Sequence, residues 1–208
     1  MNPTRLFICI PGDNFSGRFI DCWTSFLSDL QNAGYAVAIS RTYHPVVSIS
    51  RLRCMGGEKE GHKPFNGAPY DWILWIDSDM VWTFADFDRL MKSAIATDAE
   101  IMTGLYLMAD GRRFCAVETI GQHLTPVDLV GQNSPFEVHY NGLGFALIKS
   151  GVFERLTWPW FCGDAIGADG LPQSEDVLFA QQCREIGAPI MADPSVVVGH
   201  EKRMVLRP

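Results

Sequence analysis

The 208-residue chain has no CxxC pair, no excess of positive charge, no long apolar run, and no internal repeat or low-complexity tract. Its six cysteines (Cys9, Cys22, Cys54, Cys115, Cys162 and Cys183) are scattered among mostly apolar neighbours. That spacing argues against a disulfide framework or a zinc cage and for buried free thiols in a reducing compartment. The formal net charge of -7 and a pI near 5.1 lack the basic footprint of a protein that lives on nucleic acid or anionic lipid. An anionic ligand would therefore need a local cation. The apolar run Leu6 to Ile10 stops at Pro11-Gly12, too short for a signal peptide. The run Trp72 to Ile76 ends in two carboxylates, far short of the roughly 20 residues of a membrane span. A cytoplasmic protein with no transmembrane segment and no nucleic-acid partner is expected.

What is present is ordinary globular material: 47% hydrophobic and 20% charged residues, enough apolar surface to offset the chain entropy of folding. The length fits one domain over 1–208. Leu6 to Ile10 reads as a strand buried on both faces, and Phe19, Trp23, Phe26, Leu27 and Leu30 recur at helical spacing up to Ala33-Gly34. A second strand is expected over Tyr35 to Ser40, a helix presenting Arg51 and Arg53 over Val46 to Met55, and a loop from Gly56 to Pro69. Asp71 to Ile76 is the strongest strand. A helix follows from Phe84 to Ala96, with Phe84, Phe87, Leu90, Met91 and Ile95 on one face, and then a strand over Ile101 to Met108. Beyond these lie short strand-like pieces, Phe114 to Thr119 and Phe136 to Tyr140. They are followed by a helix from Glu175 to Ile186 capped by Ser174 and ended by Gly187, and by a strand through Val196 to Val198. The order predicts an α/β/α sandwich with a mostly parallel central sheet, a smaller mixed or antiparallel section, and a ligand at the carboxyl ends of the strands.

Three features carry chemistry. Asp77-Ser78-Asp79 follows a buried strand, where two carboxylates can turn toward one hard cation such as Mn²⁺ or Mg²⁺; the same residues also suit a polar turn before the next helix. A second triplet, Asp86-Phe87-Asp88, lies in an amphipathic helix whose i and i+2 positions face apart, and is expected to be a solvated helix start. Glu175 and Asp176 open a helix, where negative charge is favoured in any case. Gly199-His200 ends the last strand, and an imidazole there could complete a metal site begun by the aspartates.

The succession WIDSDM, TGLYL (Thr103 to Leu107), NGLGFALIKSGVFERL (Asn141 to Leu156), SED and GH resembles nucleotide-sugar glycosyltransferases of the GT-A fold, a Rossmann-like α/β/α architecture. It is most similar to the compact family-2-like domains of phages and large algal DNA viruses, which would place the protein in a host cytosol. The resemblance implies that Asp79 and His200 bind a divalent metal, Mn²⁺ or Mg²⁺, with Asp77 on the ribose or on the metal through water, and Ser78 beside them. It implies Asp176, or failing that Glu175, as the general base of an inverting transfer. It also implies that Pro11, Gly12 and Asp13 line the nucleotide pocket, with Arg41 or Arg51 meeting the base or diphosphate. A UDP-sugar donor and a glycan or glycoprotein acceptor are the expected partners. Because 208 residues is short for that fold, the chain is expected to be a minimal catalytic unit or one domain of a longer polypeptide.

The residue types suit that chemistry on their own terms. A departing nucleoside diphosphate gains negative charge that a divalent cation stabilises, and an acceptor hydroxyl attacking the anomeric carbon must lose its proton to a positioned base. Direct displacement with a single base inverts the centre through an oxocarbenium-like transition state. Asn141 and Gly142 could let the backbone approach a donor sugar, or simply form a tight connection; Trp158 and Trp160 could stack on a sugar ring or pack internally. Competing classes remain. Gly12 to Gly17 mimics a phosphate loop but has Arg18-Phe19 where Lys and Ser/Thr are required, which excludes a P-loop NTPase. IDSDMV also resembles the haloacid-dehalogenase phosphatase motif, with Asp77 as nucleophile and Asp79 as acid/base, although such proteins usually carry it on their first strand. A sugar-nucleotide-binding module without turnover would keep the fold and lose the base.

Overall fold

The computed structural model describes residues 3–56, 63–120, 123–161 and 173–202. Its chain order is β1 (Arg5–Pro11), α1 (Gly17–Asn32), β2 (Ala36–Thr42), α2 (Val47–Cys54), β3 (Trp72–Ile76), β4 (Met80–Val81), α3 (Phe84–Thr97) and β5 (Ile101–Leu105). There follow β6 (Ala116–Ile120), β7 (His123–Pro126), β8 (Phe136–Val138), β9 (Tyr140–Asn141), β10 (Phe145–Lys149), α4 (Val152–Arg155), α5 (Glu175–Glu185), β11 (Ile190–Val197) and β12 (Gly199–His200). A seven-stranded sheet runs β2-β1-β3-β10-β5-β11-β8, and two small antiparallel sheets, β12-β4 and β7-β6-β9, stand apart from it. In the large sheet β1, β2, β3, β5 and β11 point one way, while β10 and β8 run against their neighbours.

Alternation along the central strands builds two apolar layers. Leu6, Ile8 and Ile10, with Leu74 and Ile76, pack under α1 (Phe19, Phe26, Leu30) and α3 (Phe87, Leu90, Met91). Cys9, Ile73 and Trp75 face the opposite layer, where α2, α4 and α5 contribute Cys54, Phe153, Phe179 and Cys183. Every residue of β3 is buried, which is why its sequence is a continuous apolar run with no period of two. The helices stop as their residues dictate. Gly34 after α1 and Gly187 after α5 take positive φ, and α3 opens with a capping box between Thr83 and Asp86.

Several expectations are corrected. Ile95 is 65% exposed and Ala94 takes its place against the sheet, since position 95 lies about 90° around the helix from the centre of the face formed by Phe87, Leu90, Met91 and Ala94. The strand expected to Met108 ends at Leu105, where Tyr106 turns down into the core and Leu107 makes only an isolated bridge to Phe114. Phe136 to Tyr140 is two strands: β8 pairs with β11 in the large sheet, and β9 pairs with β6 in a small one. β7 and β10 had no counterpart in the sequence reading. Ser174 occupies the N-cap of α5, but its hydroxyl bonds to Asp176 in place of a backbone N–H. Asp86 belongs to the α3 cap and Asp88 pairs with Lys92, in keeping with helix-start roles. The five described cysteines are free, with Cys22 and Cys115 only half-buried; Cys162 lies outside the described residues. No helix among the described residues is long and apolar enough to cross a membrane.

One irregularity positions the site. The pairing of β11 with β5 shifts register between Ala192 and Val197, and the buried Asp193 carboxylate supports that shift by accepting from the Ser195 N–H (2.9 Å), the Ser195 hydroxyl (2.7 Å) and the Ser93 hydroxyl. The chain then continues into β12, whose His200 pairs with Met80 of β4. The Glu201 N–H donates to the Asp79 carbonyl at 2.7 Å, which closes the join. The C-terminal imidazole thus arrives beside the turn that follows β3.

Candidate active site

The turn Asp77-Ser78-Asp79 projects from the buried end of β3, anchored by the Asp77 N–H on the Gly144 carbonyl (3.0 Å) and the Met80 N–H on the Asp77 carbonyl (3.1 Å). The loop after β1 lies directly against it. A Cβ at Gly12 would stand 2.5 Å from Ser78 Cβ, so only glycine permits this approach. Arg41 donates to the Gly12 carbonyl at 3.0 Å and holds its guanidinium 6.0 Å from the Phe15 ring centre. Gly12 and Arg41 are thus tied to the turn, while Pro11 is half-buried and Asp13 exposed.

The two aspartates do not converge on a common cation. Asp77 turns inward to Arg51, whose Nη1 lies 3.1 Å from Oδ1 and whose Nη2 donates to Oδ2 at 3.2 Å. Arg51 Nε donates to Glu175 Oε1 at 3.3 Å, and the guanidinium stands 5.3 Å from the Trp75 ring centre. Arg51 is 2% exposed. The guanidinium expected to meet the base or diphosphate is thus enclosed, tying the end of β3 to the start of α5. Burial works against its charge, but Asp77 and Glu175 outweigh that and hold it protonated above its ordinary range. Burial likewise pushes the Glu175 carboxyl up, opposed by Arg51 and reinforced by Asp176.

Asp79 turns the other way. Its Oδ2 meets His200 Nε2 at 3.1 Å and accepts from Lys202 Nζ at 2.6 Å. Burial alone would raise its carboxyl; the hydrogen bonds from His200 and Lys202 bring it down to about 2. His200 Nδ1 lies 2.6 Å from the Leu107 carbonyl, an acceptor only, so that nitrogen carries the proton. Nε2 then either takes a second proton or aims a lone pair at a carboxylate oxygen. Carboxylate oxygen and imidazole nitrogen, here 3.1 Å apart with the imidazole's far N–H on a carbonyl, are donor types that suit a divalent cation. Among the described residues no group of three or more His, Cys, Asp or Glu side chains that could hold a metal comes together. Tyr106 packs edge-on against the His200 ring, centres 4.9 Å apart.

Asp176 has hydrogen-bond partners different from those of Glu175. Its Oδ1 accepts from the Val177 N–H (2.9 Å) and from Ser174, and its charge is felt at Cys115 and Tyr140. Cys115 also feels Asp77, so both carboxylates border one region. On the Asp79 side of the turn a cavity of 280 Å³ is lined by Asn14, Ser16, Ser78, Asp79, Glu201 and Lys202.

Two of the sugar-contact expectations, Asn141 and Trp160, fall on enclosed side chains. Asn141 is fully buried, its amide donating to Thr103 Oγ1 (2.7 Å) and to the Gly104 carbonyl (3.0 Å), so it joins β9 to β5 and has no surface for a ligand. Trp160 is 1% exposed, packed 5.3 Å from Phe153, and half-buried Trp158 lies edge-on to it. Gly142 and Gly144 serve Tyr106, whose hydroxyl accepts from the Gly144 N–H at 3.2 Å. A Cβ at Gly142 would fall on that hydroxyl and 2.8 Å from Cys115 Sγ. Gly142→Ala is therefore expected to lower stability by about 1–3 kcal/mol in thermal unfolding, with part of the loss recovered in the Gly142→Ala/Tyr106→Phe double variant. The sequence reading missed Tyr106 and Lys202; a cation two positions after the strand-end histidine was the one signal for the latter.

No protein-family model and no curated protein sequence matches the chain. Solved structures do. A197 from STIV is similar over 99% of this chain and 97% of its own, at 18% identity and a TM-score of 0.58. GalNAc-T7, crystallised with UDP, GalNAc and Mn²⁺, is similar over 97% of this chain at 12% identity and a TM-score of 0.60, and S. aureus TarS 1-349 over 95% at 9% and 0.55. The chain spans 44% and 60% of those two structures. The sheet order, the small antiparallel section and these likenesses together give the chain a GT-A fold.

Proposed function

We propose that the protein is a metal-dependent glycosyltransferase that moves a sugar from a nucleoside-diphosphate donor, a UDP-sugar, to a hydroxyl of a glycan or glycoprotein acceptor, with inversion. The observation that carries this reading is the facing of Asp79 Oδ2 and His200 Nε2 at 3.1 Å, next to a cavity at the carboxyl end of β3. Mn²⁺ or Mg²⁺ bound there would stabilise, as a Lewis acid, the charge that develops on the departing diphosphate. The presence of UDP and Mn²⁺ in the GalNAc-T7 structure supports the choice of nucleotide and metal.

The chain's own residues supply the rest. Gly12 and Ser78 bring backbone close to the nucleotide wall, and Arg41 fixes the loop that carries it. Arg51 pairs with both Asp77 and Glu175, and the acceptor proton is assigned to Asp176. The phosphatase alternative requires a free Asp77 oxygen for in-line attack, and both Asp77 oxygens face Arg51.

Thermal unfolding tests the reading. UDP at a hundredfold excess over its Kd, with Mn²⁺ present, should stabilise the protein by about 2.7 kcal/mol, a rise of roughly 5–10 °C. EDTA or Asp79→Ala should remove most of that rise. An equal shift in EDTA would refute the metal-bridged site.

A further inference from the structure

Asp79 presents one oxygen, Oδ2, to two partners at once. His200 Nε2 stands 3.1 Å from it and Lys202 Nζ 2.6 Å, and both contacts reach across more than a hundred residues of chain to a carboxylate that is 38% exposed. His200 and the Glu201 N–H are fixed by the β12-β4 pairing and by the Leu107 carbonyl. Lys202 has no such restraint among the described residues: it lies past β12, its side chain is 43% exposed, and its ammonium is carried on a flexible four-carbon stem. The same lysine lines the 280 Å³ cavity together with Asn14, Ser16 and Ser78.

Resting on the functional reading above, we propose that Lys202 is a movable counter-cation: it neutralises Asp79 while the metal is away, and it transfers to the donor diphosphate when the metal arrives. The physical reasons are charge and reach. A divalent cation bound between Asp79 and His200 would put like charge beside an ammonium only 2.6 Å from the shared oxygen, and the repulsion drives the lysine off. The cavity it already lines then offers the oxygens of a diphosphate, on which an ammonium binds as a point charge. Glu201, in the same lining, keeps the vacated region from attracting the anion without that lysine. In the absence of donor the lysine competes with the metal; in its presence the two act on the same ligand. Metal and donor binding are thereby coupled through one side chain.

The competition has a sign that a structural role does not share. Mn²⁺ binding to the nucleotide-free protein, followed by electron paramagnetic resonance of the free ion, should be tighter in Lys202→Met than in the wild type, on the order of fivefold for a partly exposed pair. UDP binding at saturating Mn²⁺, followed by calorimetry, should be weaker by a similar factor. Lys202→Arg, which keeps the cation, should stay near the wild type for Mn²⁺. A Lys202→Met variant that binds Mn²⁺ no tighter than a wild type that does bind it, or that binds UDP undiminished, overturns this inference and leaves the glycosyltransferase reading standing. A wild type that binds neither Mn²⁺ nor UDP overturns both.

Discussion

Asp176→Asn is expected to reduce sugar transfer by about 10²- to 10⁴-fold while leaving donor affinity within about twofold of the wild type. The size follows from the task assigned to the residue: a general base acts on the acceptor proton only as the hydroxyl attacks, so its loss falls on turnover and not on donor binding. The local structure makes the variant a clean one. Oδ1 accepts from Ser174 and from the Val177 N–H, contacts that an asparagine carbonyl oxygen can keep, and among the described residues no hydrogen bond ends on Oδ2. Glu175→Gln provides the contrast. That side chain is engaged with Arg51 at 3.3 Å, so its loss should appear first as lower stability. Turnover numbers and donor Kd values for the two variants decide between them. Transfer by Asp176→Asn at the wild-type rate would remove Asp176 from the chemistry, and a Glu175→Gln variant of native stability that fails to turn over would move the base one residue back.

The parallel half of the fold was legible because buried strands and amphipathic helices write themselves plainly: LFICI and WILWI are continuous apolar runs, and α1 and α3 carry apolar stripes bounded by caps. FALIK escaped notice for a physical reason. Its run is shorter than that of WILWI, ending in the polar Lys149, and the Gly-Leu-Gly before it, required by Tyr106, looks like a loop. HLTP lies mostly exposed at the edge of a small sheet, where burial imposes no pattern. The candidate site was legible as an ordered set of residues, Asp77, Asp79, Glu175, Asp176 and His200. Its division into two clusters was not, because that depends on which way each carboxylate turns. Arg51 meets Asp77 across 26 residues and Glu175 across 124, and no local spacing announces such a bridge. For the same reason Trp160 and Asn141, polar or aromatic residues in a promising segment, could not be told from ligand contacts until their burial was known.

Arg51→Met is the substitution expected to cost the most stability, about 3–5 kcal/mol at neutral pH, because it leaves the carboxylates of Asp77 and Glu175 in a largely buried setting without their cation. Packing is not the cause: methionine fills much of the same space above the Trp75 ring, so the loss is chiefly electrostatic. The pH dependence follows from Glu175. Burial already raises its carboxyl in the wild type against the pull of Arg51, and removing that pull raises it further. A carboxyl whose folded pKa lies above its unfolded value binds more protons in the folded state; its contribution is fully present below the unfolded pKa and is lost as pH rises through the folded one. The deficit of Arg51→Met should therefore be largest near pH 8 and shrink toward pH 5, and Glu175→Gln added to it should recover part of the loss at high pH while changing little at low pH. Urea unfolding of the wild type, both single variants and the double variant at the two pH values measures the coupling. A deficit that does not change with pH would mean that Arg51 serves the core by filling space, and that Asp77 and Glu175 find other partners when it is gone.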